Sequence, residues 1–104
     1  MVAAEDRYLE LHKGSAIRYE TAKTLFPDGV THDTRWVTPF PLFMTHGKGP
    51  YKWDVDNNKI NDFVMGHGSM ILGHAHPDVV SSVQEAASRC SHLGGIDSLV
   101  LRRA

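Results

Sequence analysis

The run Gly66-His67-Gly68-Ser69-Met70-Ile71-Leu72-Gly73-His74-Ala75-His76-Pro77 constrains this chain more than any other stretch. It gathers three glycines and three histidines around one apolar run and stops at a proline. Gly66, Gly68 and Ser69 have little or no side chain, so a backbone or a ligand can come close to them. Met70, Ile71 and Leu72 form a short apolar run of the kind that is expected to be buried. Gly73 to Pro77 reads as a turn that delivers the chain into a helix, with His74 bonding backbone and His76 capping the helix. The stretch as a whole reads as one that lines an active site.

The flanks follow from this punctuation. Pro77 suits the first position of a helix, and Asp78 favours the positive end of its dipole. Val79, Val80, Val83, Ala86, Ala87 and Cys90 form an apolar stripe at helical spacing, and Gly94-Gly95 supply a C-terminal cap. Asp97 or Ser98 would cap a further helix. At the other end, residues 4–26 predict a helix with an interruption at Gly14-Ser15. Tyr8, Leu11, Tyr19, Ala22, Leu25 and Phe26 share its apolar stripe, with Ile17 opposite. Phe26-Pro27-Asp28-Gly29 ends it. Residues 29–42 have no period, and Pro39-Phe40-Pro41 enforces an extended path. Residues 42–64 predict a β-meander with strands at Leu42–His46, Tyr51–Asp56 and Ile60–Val64. Tyr51, Trp53 and Val55 alternate with Lys52, Asp54 and Asp56, as in a half-buried strand. Asp56-Asn57-Asn58 gives a tight turn because asparagine tolerates positive φ.

Composition narrows the function classes. Net charge is −1 and the basic residues are scattered, so neither nucleic acid nor an acidic membrane is an expected partner. No apolar run approaches the ~20 residues of a membrane helix. A single cysteine, Cys90, excludes an internal disulfide and suits a reducing compartment, so a cytoplasmic location is expected. On an apolar helix face, Cys90 reads as a structural thiol rather than a nucleophile.

Seven histidines raise a metal reading around His67, His74, His76 and His92, although three or four ligands must converge for zinc. Asp54-x-Asp56-x-Asn58 resembles the start of a calcium loop, but Lys59 and Met65 replace the glycine and glutamate it needs. Gly66-x-Gly68 lacks the third glycine of a dinucleotide loop. Arg35, in the irregular segment, is either a two-pronged carboxylate binder or a surface arginine bonded to backbone. Trp36 and Trp53 are expected in a core or interface.

Four blocks in order resemble one family: Phe26-Pro27-Asp28-Gly29-Val30, Tyr51-Lys52-Trp53-Asp54-Val55-Asp56, Asp62-Phe63-Val64 and Leu72-Gly73-His74-Ala75-His76-Pro77. This pattern is similar to the opening part of class III pyridoxal-phosphate aminotransferases, in the branch of glutamate-1-semialdehyde aminomutase. His92-Leu93-Gly94-Gly95 also fits a subgroup of that branch. The resemblance implies an α/β fold of PLP fold type I, with helix, antiparallel meander and helix in this segment. It implies pyridoxal 5'-phosphate as cofactor, an amino acid or keto acid as substrate, and a homodimer with shared active sites. It places Arg35 on the substrate carboxylate and His67 at an aromatic substrate-lining position. His32 stands at a position where the branch has serine, and Gly68, Ser69 and Met70 complete the substrate side. The family's Schiff-base lysine, phosphate-binding block and pyridine-binding aspartate match nothing here: Lys13, Lys23, Lys48, Lys52 and Lys59 correspond to none of them.

The resulting organisation is a helical arm over residues 1–26, a substrate-side loop over 27–42, the meander over 43–64, and a junction loop and helix over 65–104 running towards a cofactor domain. The main expectation is part of a transaminase or aminomutase, inactive by itself. The alternatives are a non-catalytic product that acts by association, and a histidine-rich metal-binding domain.

Overall fold

The computed structural model of the chain describes residues 3–89. Expectations for Cys90, His92, the Gly94-Gly95 cap and the helix after Asp97 lie outside the described residues. The chain divides into two compact units, Met1–His74 and Ala75–Ala104, and each is described by itself.

The first unit opens with two helices, α1 (Ala4–Leu11) and α2 (Lys13–Leu25). The predicted interruption exists, but it falls at His12 rather than at Gly14-Ser15. Its cause is tertiary. The Asp56 carboxylate accepts the amides of Gly14 (2.8 Å) and Ser15 (3.2 Å), which satisfies the unpaired N–H groups of the α2 start. Meanwhile the His12 ring turns onto Asp54 at 2.6 Å. Ala22 is buried and Ile17 is 70% exposed, which agrees with the sequence stripe, yet Leu25 at its end is 68% exposed.

Pro27-Asp28-Gly29 forms a single tight turn in which Asp28 (φ 52°) and Gly29 (φ 68°) are left-handed. A Cβ on Gly29 would lie 2.5 Å from the Tyr19 ring, so only glycine fits this close approach. A second short turn covers Asp33–Arg35. The extended path then buries Phe40, whose carbonyl accepts the Tyr8 hydroxyl at 2.7 Å. Trp36 is 54% exposed, so of the two expected settings, core or interface, it is not in the core.

The meander is an antiparallel sheet in the order β1 (Met44–Lys48), β2 (Tyr51–Asp54) and β3 (Lys59–Asn61). Lys48 pairs with Tyr51 across Gly49-Pro50, and Trp53 pairs with Lys59. All three strands are shorter or shifted relative to the expected bounds, and the alternation is inverted at its most important point. Asp54, assigned by period to the polar face, is 0% exposed. Asn57 takes positive φ (63°), as its residue type predicts for the turn.

The second unit's described part is α3 (Pro77–Arg89), which starts at the expected proline. His76 does not cap it through its side chain: its Nδ1 has no hydrogen-bond partner among the described residues, and its carbonyl accepts the Val80 amide at 2.9 Å.

Candidate functional site

Arg35 is positioned by a sequence of small local bonds. The Thr34 amide is held by the Asp33 carboxylate (2.7 Å) and by His32 Nδ1 (3.2 Å), which bends the chain into its turn. The Arg35 guanidinium then donates to the Thr31 hydroxyl. No carboxylate pairs with it among the described residues. Arg35 lines a cleft of about 660 Å³ whose other walls include Ala22, Phe26, Phe43 and Met44. Lys52 lines the same cleft, but its ammonium lies 3.4 Å from Asp62. His32 faces a separate, shallower hollow with Phe26, Asp28 and Val30, and its ring is engaged by Asp33 at 2.7 Å.

The other four candidates sit together on the loop between β3 and His74. Met65, Gly66, His67 and Gly68 all have positive φ (47°, 59°, 57° and 82°), a left-handed stretch that includes two residues with side chains. Such a conformation costs roughly 1–2 kcal/mol for each non-glycine residue. Backbone bonds from Gly68 to Val64 (3.0 Å) and from Met70 to Met65 (3.1 Å) close the turn, and the Ser69 hydroxyl donates to the Gly66 carbonyl at 2.8 Å. The apolar run after it is not buried: Met70 is 38%, Ile71 89% and Leu72 57% exposed. None of His67, Gly68, Ser69 and Met70 lines the Arg35 cleft. The six candidates therefore fall into two groups, Arg35 with His32 and the loop residues with one another.

Two aspartates hold other parts of this unit together, Asp62 at the base of the loop and Asp54 at the α1–α2 joint, and neither was a sequence candidate. Asp54 accepts the amides of Asp56 (3.0 Å) and Asn58 (2.8 Å) at one oxygen, and His12 (2.6 Å) and the Asn58 side chain (2.9 Å) at the other. Burial pushes its carboxyl up, but the bonds from Asn58 and His12 outweigh it and leave the pKa below the ordinary value. The Asp54 charge in turn, together with burial as the larger cause, raises the Tyr8 phenol. His12, Asp54 and Asp56 have ligand atoms within 4.8 Å of one another, a spacing open to a metal ion. Each is already bonded to the protein, so the cluster reads as an internal polar knot that ties the α1–α2 joint to the meander. The histidines of residues 67–76 take no part in it. The Asp62 carboxyl is held well below the usual range, first by the His74 ring at 2.7 Å, then against the opposing effect of burial by the Met65 and Val64 amides and the Lys52 charge. A signal for both existed in the sequence: an aspartate followed at two to four residues by amides in a turn is the side-chain-to-backbone pattern of such loops.

The family profile described as "Aminotransferase class-III" matches residues 33–98, well over half of the chain. The glutamate-1-semialdehyde 2,1-aminomutase of Methanothrix thermoacetophila is 42% identical over 71 residues, 68% of this chain and 17% of that protein. The crystal structure of a glutamate-1-semialdehyde aminomutase from Pseudomonas aeruginosa superposes with a TM-score of 0.81 at 28% identity, covering 92% of this chain and 22% of that one. A β-phenylalanine aminotransferase from Variovorax paradoxus gives 0.78 at 25% identity, over 88% and 21% of the two chains. The chain thus spans about a fifth of the length of the proteins it matches. These neighbours place the segment in the fold type I architecture of PLP-dependent transaminases. Pyridoxal phosphate is the cofactor of the family: one matched transaminase is solved with PLP bound, and a lysine-to-alanine variant of the Pseudomonas aminomutase is solved with PMP.

The described residues do not by themselves make a site for that group. It needs a lysine amine to hold its aldehyde carbon. Lys23 pairs with Glu20 at 2.8 Å, Lys59 lies 3.6 Å from the Tyr51 ring centre, and Lys52 is turned to Asp62. Lys13 and Lys48 are exposed. What the segment does contain is a guanidinium lining an apolar cleft and a loop of small residues held in a left-handed turn. With the profile match across most of its length, this identifies the chain as a member of the class III aminotransferase family.

Proposed function

We propose that the chain is the substrate-side segment of a PLP-dependent aminotransferase or aminomutase that acts on amino acids or keto acids. The observation that carries this reading is Arg35, a cation without a carboxylate partner among the described residues, at the edge of an apolar-walled cleft. A guanidinium fork there pairs with a substrate carboxylate in two-pronged fashion, and the apolar walls strengthen the pairing by excluding water. Thr31 holds the fork in place before substrate arrives. His67 to Met70 supply a second, small-residue wall, and His32 acts on the site through the turn before Arg35, where its ring accepts the Thr34 amide. The cofactor, when bound by the whole protein, supplies the electron sink for amino-group transfer. In this reading residues 1–26 are an arm, 27–42 the substrate-side loop, 43–64 the meander and 65–104 the junction towards the cofactor domain of a homodimer.

Arg35→Ala in the whole enzyme tests the assignment. The KM for an amino acid rises about 100-fold, while an amine that lacks a carboxylate is converted as before. An equal loss on both substrates would remove Arg35 from the site. The 104-residue chain treated with pyridoxal phosphate and borohydride gives no stoichiometric adduct. A single labelled lysine accompanied by transamination would overturn the division of labour.

A further inference from the structure

The loop that carries His67 has an unusual mechanical problem. Met65 and His67 stand in the left-handed region, flanked by glycines in the same region, and the loop's apolar side chains are exposed. Gly66 and Gly68 adopt this conformation freely and histidine is enriched in it, but it is uncommon for any residue with a side chain and least expected at Met65. Bonds within the loop close the turn, and the loop is held at both of its ends as well. Asp62 lies at the near end, and one of its oxygens accepts the amides of Val64 (3.0 Å) and Met65 (3.2 Å). Its other oxygen meets His74 Nε2, at the far end of the loop, at 2.7 Å. One buried carboxylate thus spans a gap of twelve residues.

The far end is fixed a second time. His74 and Gly49 exchange both backbone bonds, each 2.9 Å, which joins the loop to the turn between β1 and β2. The join leaves no room for a side chain at two of its neighbouring glycines. A Cβ on Gly73 would lie 2.9 Å from Gly49 Cα, and one on Gly47 would lie 2.6 Å from the His74 ring. The His74 ring thus lies close against Gly47 on one side and bonds Asp62 through Nε2.

We propose that Asp62 and His74 are positioning residues: together they clasp both ends of the loop, force Met65 to Gly68 into the left-handed turn, and so fix the direction in which His67 is presented to the substrate. The last step rests on the reading that His67 lines the substrate pocket; the clasp itself does not. Neither residue touches substrate. The clasp acts on selectivity through His67, since a displacement of about 1 Å in a substrate-lining group changes rates by about 100-fold.

Two measurements separate the clasp from the site reading. In the 104-residue chain, positive φ at Met65 and His67 gives strong NOEs between each residue's amide and α protons. Asp62→Ala and His74→Leu abolish them and leave the cross-strand contacts of Lys48 with Tyr51 intact, whereas His74→Gln, which keeps a donor near the place of Nε2, retains them. Persistence of the left-handed pattern in both Asp62→Ala and His74→Leu overturns the clasp. If Asp62→Ala also costs the hairpin, the two His74 variants decide, and identical behaviour of Leu and Gln overturns the proposal. In the whole enzyme, His74→Leu changes the ratio of kcat/KM between a small and a bulky amino acid by about 10-fold, and His74→Gln restores it. A turn that is lost in the first experiment with an unchanged ratio in the second leaves the clasp standing but overturns its claim on the substrate, and with it the placement of His67.

Discussion

Asp54 and Asp62 do the same work in two very different settings. Each collects two backbone amides and a histidine ring. Around Asp54 the result is a closed knot: Ser15 is also 0% exposed, His12 is buried, and the helical arm is sewn to the meander. Around Asp62 the result is an open loop, with Phe63 at 91% and Ile71 at 89% exposure on either side of the candidate substrate wall. The difference teaches that this segment is held by buried carboxylates more than by an apolar core, since Ala22 and Phe40 are the buried hydrophobic side chains among the described residues. A charge satisfied by three or four donors is costly to lose, because every donor is left without a partner.

The largest effect is therefore expected at the knot. Asp54→Ala should destabilise the chain by about 3 to 5 kcal/mol in urea unfolding, the range for breaking a buried hydrogen-bonded pair. A loss under about 1 kcal/mol would erase the distinction between knot and loop. Acid should act on both sites at once. The folded pKa values of Asp54 and Asp62 lie below the ordinary 3.8, so their contribution is complete above that value and drains away as pH falls beneath it. The melting temperature should hold between pH of about 6 and about 5 and then drop towards about 2, and the Asp54→Ala variant should show a shallower drop. An equally steep drop in that variant would assign the acid sensitivity elsewhere.

A smaller effect separates global from local stability. Asp62→Ala should cost about 2 kcal/mol locally, read as faster hydrogen exchange at the Val64, Met65 and His74 amides with little change at Asp54 and Asn58. Uniform acceleration across both sets would show that the two regions open together. Ser15→Ala should cost about 1 kcal/mol, because the Ser15 hydroxyl accepts the Phe43 amide at 3.1 Å where the arm meets the chain before β1. Ile17→Ser, on the exposed face of α2, should stay within about 0.5 kcal/mol of the parent.

Much of the segment was legible in the residues. Pro77 set the start of α3, Pro27-Asp28-Gly29 the end of α2, and Asn57 the turn before β3, because proline, glycine and asparagine restrict or permit backbone angles whatever surrounds them. The family was also legible, because its blocks keep order and spacing. Burial was not. Period assigned Asp54 to a polar face, the apolar run assigned Met70-Ile71-Leu72 to an interior, and the fold did the reverse. Hydrophobic pattern reports which residues would gain from burial; only long-range contacts decide which of them obtain it.

The sequence by itself determined the breaks between elements, the helix, meander and helix order, and membership in the class III aminotransferases. Tertiary structure decided where the first helix divides, which carboxylates are buried, and how Met65 and His67 are held in a left-handed turn. The reason is range. Backbone preferences act within a few residues, whereas His12 finds Asp54 across 42 positions, and His74 finds Asp62 only after the chain has folded back on the sheet.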